Sequence, residues 1–308
     1  MIYNILDYVG GVCPPSACVF GKGNNMDESN CTHDCSTCGA DCSSRKSEPA
    51  FTPLGDGASV KKVIGVVSGK GGVGKSLVTS LLATAMRRRD YNVGILDADV
   101  TGPSIPRSFG LSAGIDPAGE LMLPKKTVTG IDVISVNLLL ENETDPVVWR
   151  GPVISGVVNQ FWGQVFWNDV DYMFIDMPPG TGDVPLTVFQ SIPVDGIIVV
   201  TTPQELVSMI VEKAVNMASL MNVPIIGMIE NMSYVTCPDC GRKIEVFGPS
   251  RAEDVASKLG VPLLARLPMD LTVASLCDRG VIELYENEYI DKAALEIEKI
   301  LPVGTTEQ

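Results

Sequence analysis

Eight residues constrain this chain more than any others: GKGGVGKS, at 69–76. They follow a β-branched apolar run, VIGVVS (63–68), and precede an amphipathic stretch, SLLATAMRRRD (80–90). The spacing is G-x-x-x-x-G-K-[ST] in the strand-to-helix setting that a phosphate-cradling loop requires. Each residue type has a physical reason to be there. Gly71, Gly72 and Gly74 permit backbone angles that turn successive N–H groups inward into an anion nest. The following helix aims its positive end at the same point. Lys75 supplies a compact cation for the β/γ oxygens, and the Ser76 hydroxyl is a ligand for Mg²⁺. The predicted nucleotide contacts are Gly69, Lys70, Gly71, Gly72, Val73, Gly74, Lys75, Ser76 and Leu77.

The rest of the chain from Lys61 repeats the strand–helix alternation. NVGILDAD (92–99), IDVISVNLLL (131–140), DYMFIDMPPG (171–180), DGIIVVTTP (195–203), PIIGMIENM (224–232) and VPLLARLP (261–268) read as strands. Helices are predicted at 153–167, 205–221 and 291–301. Strands that are apolar throughout and separated by helices indicate a doubly wound, mostly parallel α/β sheet covered on both faces. Two of these strands end in acids, where a phosphate-bound Mg²⁺ and an attacking water must be held. Asp176, closing YMFID, reads as a Mg²⁺ carboxylate acting through water. Gly180 and Gly182 follow it in a loop able to respond to γ-phosphate. Asp97 and Asp99 close the second strand.

Composition narrows the class. The 308 residues are 45% hydrophobic and 19% charged, which excludes a disordered chain. No run approaches the ~18–20 apolar residues of a membrane span. MIYNILDYVGG has no positively charged start, so no secretory leader is expected. A net charge of −14 argues against a nucleic-acid-coating surface or a polybasic membrane anchor. The expectation is a soluble, cytoplasmic protein, and in that compartment its nine cysteines are thiols or metal ligands rather than disulfides. Six stand in the first 42 residues, Cys13, Cys18, Cys31, Cys35, Cys38 and Cys42, separated by 4, 12, 3, 2 and 3 residues. Residues 1–58 lack periodicity after about Gly10 and read as a Cys-rich extension and linker, with residues 59–308 as the α/β domain. Cys277, in LTVASLC, reads as a buried small hydrophobe.

C-P-D-C at 237–240 sets a counting problem. It resembles half of a zinc ribbon, yet zinc and iron–sulfur sites usually take four ligands. Two copies of the chain around a two-fold axis would supply four thiolates from Cys237 and Cys240. Spacing alone leaves Zn²⁺ and [4Fe–4S] both open, with a redox-active dithiol as a third reading.

Several motifs together carry a family resemblance. The loop, with Lys70 after its first glycine, resembles the deviant Walker A of the MinD, ParA and nitrogenase iron protein family. DADVTGPSIP (97–106), VVWRGPVISG (147–156), FIDMPPGTGD (174–183) and IENMSYVTCPDCG (229–241) narrow it further. In that order, across roughly residues 60–300, they look like the Mrp/ApbC/NBP-type iron–sulfur scaffold ATPases. The resemblance implies an ATPase that carries a labile [4Fe–4S] cluster between the subunits of a homodimer, on Cys237 and Cys240, and hands it to apo iron–sulfur proteins. It also implies that Lys70 reaches the partner's nucleotide. Asp99 would orient or deprotonate the hydrolytic water, with Asp97 nearer the metal, and Asn231 would recognise adenine. The tail's spacing differs from the family's four-Cys motif. Cys18, Cys31, Cys35 and Cys38 are expected ligands there, for an iron–sulfur cluster or for zinc with His33. Two alternatives belong to other classes: a MinD/ParA-like positioning ATPase, disfavoured by the acidic balance, and an ATP-gated reductase resembling the nitrogenase iron protein, whose cysteines are not paired as C-x-x-C.

Overall fold

The computed structural model describes residues 51–99, 104–115, 117–118, 121–139, 151–180, 182–203 and 207–304. Its strands are β1 (Val60–Ser68), β2 (Val93–Asp97), β3 (Pro117–Ala118), β4 (Leu121–Met122), β5 (Lys125–Lys126), β6 (Asp132–Ser135), β7 (Val170–Asp176), β8 (Gly196–Thr201), β9 (Ile225–Glu230), β10 (Val235–Thr236), β11 (Lys243–Ile244) and β12 (Leu263–Arg266). Its α-helices are α1 (Lys75–Arg88), α2 (Ser104–Ser108), α3 (Gly151–Gln164), α4 (Asp183–Ser191), α5 (Val207–Leu220), α6 (Ala252–Leu259), α7 (Leu271–Asp278) and α8 (Glu288–Ile300).

Eight strands form one sheet in the order β12-β9-β8-β1-β7-β2-β6-β5. All neighbours are parallel except the edge pair β5–β6. The doubly wound sheet expected from the apolar runs is therefore present. Period-2 alternation splits each central strand between two cores. Ile64 and Val66 of β1, Tyr172 and Phe174 of β7, and Ile198 and Val200 of β8 enter the layer shared with α1 and α8. Val63 and Val67, Met173 and Ile175, and Ile197 and Val199 enter the opposite layer with Trp162, Val188 and Val211 of α3, α4 and α5. Burial on both faces is why these strands read as continuous apolar runs rather than alternating ones.

Local chemistry sets the ends of the elements. The strand expected across 131–140 stops at Ser135, whose side chain accepts the Asn137 N–H and starts a 3₁₀ turn over Val136–Leu138. α8 begins earlier than expected because Asn287 caps it, accepting from Tyr289 and Ile290 N–H. The short helices α4, α6 and α7 fall between the elements read from the sequence. Residues 51–58, read as linker, lie against the domain: Thr52 N–H donates to Ser191 O at 2.8 Å, and the buried Trp162 indole donates to Thr52 O at 2.8 Å. Leu54 and Ala58 pack on the same core layer. Among the described residues no helix is long and apolar enough to cross a membrane. The tail cysteines Cys18, Cys31, Cys35 and Cys38, with His33, lie outside the described residues, as do residues 100–103 and 140–150 of the quoted motifs.

Candidate functional site

The carboxyl ends of β1, β7 and β2 lie side by side in the sheet, and the segments leaving them line one cleft of about 420 Å³. Its floor is the loop from Gly71 to Leu77, and Asp99 and Pro179 border it. Gly74, at φ +80°, is the residue before α1, and no side chain caps that helix; its first turn also contains no acid. Among the described residues no side chain caps the free N–H groups at the positive end of α1, which faces the cleft as an anion site. Gly74 is required sterically as well: a Cβ there would run into the Asn231 amide nitrogen. That amide, almost fully buried, donates to Val73 O at 2.9 Å and so braces the loop from below.

Charge is concentrated beneath the loop. Lys75 Nζ lies 2.7 Å from Asp176 Oδ1 and 3.4 Å from Asp99 Oδ2. Asp176 also accepts from Ser76 Oγ at 2.5 Å and from Thr79 Oγ1 at 2.9 Å. Burial raises the Asp176 carboxyl above the usual carboxylate range, opposed by Lys75 and the two hydroxyls. Asp97 stands beside Asp176 in the β2–β7 register and is pushed well up, first by burial and then by that neighbouring carboxylate. Both its oxygens are engaged within the protein, one by Ser135 Oγ at 2.7 Å and the other by Asp99 N–H at 3.1 Å. Ser76 and Asp176 side by side offer the hard oxygens that Mg²⁺ prefers, so the residues present fit a magnesium nucleotide. Gly71–Leu77 and Asp99 line the cleft, and Asp176 is buried beneath the loop against Lys75 and Ser76.

Sequence reasoning missed Thr79, one helical turn beyond Lys75 and therefore on the same face of α1, and Ser135, the partner of Asp97. It also missed the far wall of the cleft. That wall contains Arg107 of α2 and Cys277 and Asp278 of α7. Cys277 is half-buried against the α1–α8 core, where burial raises its thiol.

The paired cysteines sit elsewhere, in the turn joining β10 to β11. Cys237 N–H donates to Arg242 O and Gly241 N–H to Cys237 O, both at 2.9 Å, with Gly241 at φ +69° allowing the return. The backbone N–H groups of Cys240 and then Asp239 point at the Cys237 sulfur and hold its thiol below the usual range. This is a knuckle preshaped for a thiolate ligand. Cys237 is half-buried and Cys240 exposed. Among the described residues no group of three or more His, Cys, Asp or Glu gathers to hold a metal, so the described part of one chain presents two thiols and no further ligand. The hairpin is clamped on its flank, where Lys243 Nζ stands 4.2 Å above the Tyr234 ring.

Comparison with known proteins agrees with this geometry. The ParA family, in the form described as NUBPL iron-transfer P-loop NTPase, matches residues 59–301. The chain belongs to this family. An iron-sulfur cluster carrier protein of Clostridium perfringens is 47% identical over 262 residues, 82% of this chain and 92% of that one. Another, from Methanocaldococcus jannaschii, is 45% identical over 226 residues, 73% of this chain and 78% of its own. Among solved structures, a nucleotide-binding protein of Archaeoglobus fulgidus in complex with ADP superposes with TM-score 0.69 at 41% identity, covering 75% of this chain and 91% of that one. The cell division ATPase MinD of Pyrococcus furiosus, at 22% identity and TM-score 0.55 over 78% of this chain and 99% of its own, shares the fold. The family resemblance read from the motifs is thereby established, and the chain is a P-loop NTPase of the iron-transfer group.

Proposed function

We propose that this protein is a cytoplasmic, homodimeric carrier that binds ATP, hydrolyses it slowly, and holds a labile [4Fe–4S] cluster between two copies for delivery to apo iron–sulfur proteins. The observation that carries the reading is the knuckle: a preshaped, partly exposed C-x-x-C with two thiols and no further described ligand, on a nucleotide-binding domain. Ligand number requires a second pair, and a second copy supplies it by symmetry. Four thiolates in an exposed turn hold a cluster with little protein over it, which favours release over storage. Relatives named iron-sulfur cluster carrier proteins support iron–sulfur cargo over zinc. The fold neighbours alone would also suit a positioning ATPase, but the knuckle has no part in that reading.

At the cleft, the nest of N–H groups and α1 receive the phosphates, and Lys75 exchanges its carboxylate partners for phosphate oxygens. Bound Mg²⁺, held by Ser76 and through water by Asp176, would neutralise phosphate charge. Asp99, beside Lys75 at the cleft, positions the attacking water, which adds to the γ-phosphorus as the bond to the β–γ bridging oxygen breaks, giving ADP and phosphate. Asp97 serves this step by holding the Asp99 backbone through its hydrogen bond rather than by reaching a metal. Lys70 completes the partner's site. Asn231 is proposed to combine loop bracing with contact to adenine. The Cys-rich extension ahead of residue 59 forms a second, independent cluster site through Cys18, Cys31, Cys35 and Cys38.

The test is transfer. Reconstituted protein mixed anaerobically with an apo [4Fe–4S] enzyme should restore that enzyme's activity, and the Cys237→Ala protein should not. Equal restoration by both proteins would refute the assignment of the cargo to this hairpin.

A further inference from the structure

β9 serves both sites: Asn231 follows its last residue and grips the phosphate loop, and four residues later the chain enters the cysteine hairpin. The connector, residues 231–234, is held along its length. Asn231 N–H donates to Thr201 O, Ser233 N–H to Leu267 O, and Tyr234 O accepts from Met269 N–H, all within 2.7–2.8 Å. Met232 within it takes φ +55°, a left-handed conformation that a side chain adopts at a cost. A methionine held there needs a surrounding that fixes it.

Glu230 anchors the connector on the far side of Met232, through Ser233. The last residue of β9, it is 1% exposed, a position that a carboxylate occupies only when well partnered. Its oxygens accept from Ser233 Oγ at 2.6 Å and Ser250 Oγ at 2.7 Å, and Arg266 Nε lies 3.3 Å away. Arg266 Nε also donates to Ser233 Oγ at 3.0 Å. The guanidinium then extends to Glu245 at 3.4 Å, the residue just past β11 and on the far side of the hairpin. Ser250 in turn accepts the Ala252 N–H that opens α6. One buried carboxylate thus joins β9, the connector, the start of α6 and, through Arg266, the exit of the cysteine hairpin.

We propose that Glu230 and Arg266 are positioning residues that couple occupancy of the phosphate loop to the geometry of the cysteine turn. A nucleotide that tightens the loop draws on Asn231, and the Glu230–Arg266 network transmits that displacement along the connector instead of letting Met232 absorb it. The coupling is a free energy between two sites carried by a contiguous hydrogen-bonded set. The proposal rests on the nucleotide site but not on the identity of the metal cargo.

Hydrogen–deuterium exchange of the full chain, read on peptides covering residues 235–244 with and without Mg-ADP, tests this independently of cluster content. In the unaltered protein the nucleotide should change exchange of this turn at least threefold. Glu230→Gln and the milder Arg266→Lys, which keeps a positive charge beside Glu230 but loses the Nε contact to Ser233, should each lose most of that response while ADP affinity stays within about threefold. A purely structural role would alter the basal exchange rate and leave the nucleotide-dependent ratio intact. A response that persists in Glu230→Gln and Arg266→Lys, or its absence from the unaltered protein, overturns the coupling. Failure of cluster transfer with the exchange response preserved would instead sink only the cargo reading.

Discussion

Replacing Lys75 by alanine tests the charge arrangement under the phosphate loop, and its effects divide between binding and folding. The side chain is 5% exposed, and its ammonium is the cation at 2.7 Å from the fully buried Asp176 and 3.4 Å from Asp99. Asp97 lies next to Asp176 and repels it. Truncation therefore removes a phosphate ligand and also strands a buried carboxylate. Losing a charged hydrogen-bonding partner of the phosphates costs about 1.5–3 kcal/mol of affinity, or roughly 10- to 150-fold. Breaking a buried pair from one side costs about 3–5 kcal/mol of stability, and the hydroxyls of Ser76 and Thr79 that stay on Asp176 put the expectation at the lower end, about 3 kcal/mol. In a domain of this size that lowers Tm by roughly 6–12 °C. The stability loss must depend on pH. The folded-state pKa of Asp176 is already raised by burial, and removing Lys75 raises it further. A carboxyl with a raised folded pKa destabilises the fold when ionised, so the penalty is full only above that raised value. It shrinks as pH falls through the raised value toward the ordinary carboxylate pKa near ~4. Urea melts at pH 7.5 and pH 5 and ADP titrations measure both arms. Equal urea midpoints for Lys75→Ala and the unaltered protein at pH 7.5 would refute the buried-pair account, and unchanged ADP affinity would refute the site.

Three further predictions follow from the same geometry. Gly74→Ala forces a side chain to φ +80° and against the Asn231 amide; the backbone cost of about 1–2 kcal/mol should weaken ADP binding roughly 5- to 30-fold by calorimetry, with undiminished affinity counting against the cradle. Lys70→Ala chains should lose ATPase activity, and mixing them with inactive Asp99→Asn chains should restore part of it; no recovery in heterodimers verified by mass would place both residues in the same site of one chain. A chain beginning at residue 51 should melt like the full protein, whereas one beginning at 59 leaves the Trp162 indole without Thr52 and should lose about 2 kcal/mol; identical melting curves would show that residues 51–58 contribute nothing.

Much of the site was legible because its residue types are forced. Glycine takes φ +78° and +80° at Gly72 and Gly74 without steric cost, so the loop announces itself, and an acid closing an apolar strand, as at Asp176, is conspicuous. The C-x-x-C is equally plain. What stayed hidden was the choice of partner. Glu230 in IENMS looks like any solvated acid at a strand end, and only the fold reveals that Ser233, Ser250 and Arg266 converge on it. Asn231 could be recognised as a site residue, but not that its amide reaches Val73 across more than a hundred residues of sequence. Cys277 read as a core residue, and it does pack on the core, yet its other side faces the cleft because α7 lies beside α2. Short capped helices such as α6 and α7 have too few turns to show a period.

The most direct test of the carrier account is metal content against mass. A chain beginning at residue 51, purified without oxygen and reconstituted with iron and sulfide, isolates the hairpin from the tail. The account predicts broad absorption near ~400 nm and about four irons and four sulfides per pair of chains. It also predicts a dimer by native mass, with both cluster and dimer lost together in Cys237→Ala. Stoichiometric zinc in a colourless protein, or a full cluster on a monomer, would contradict it.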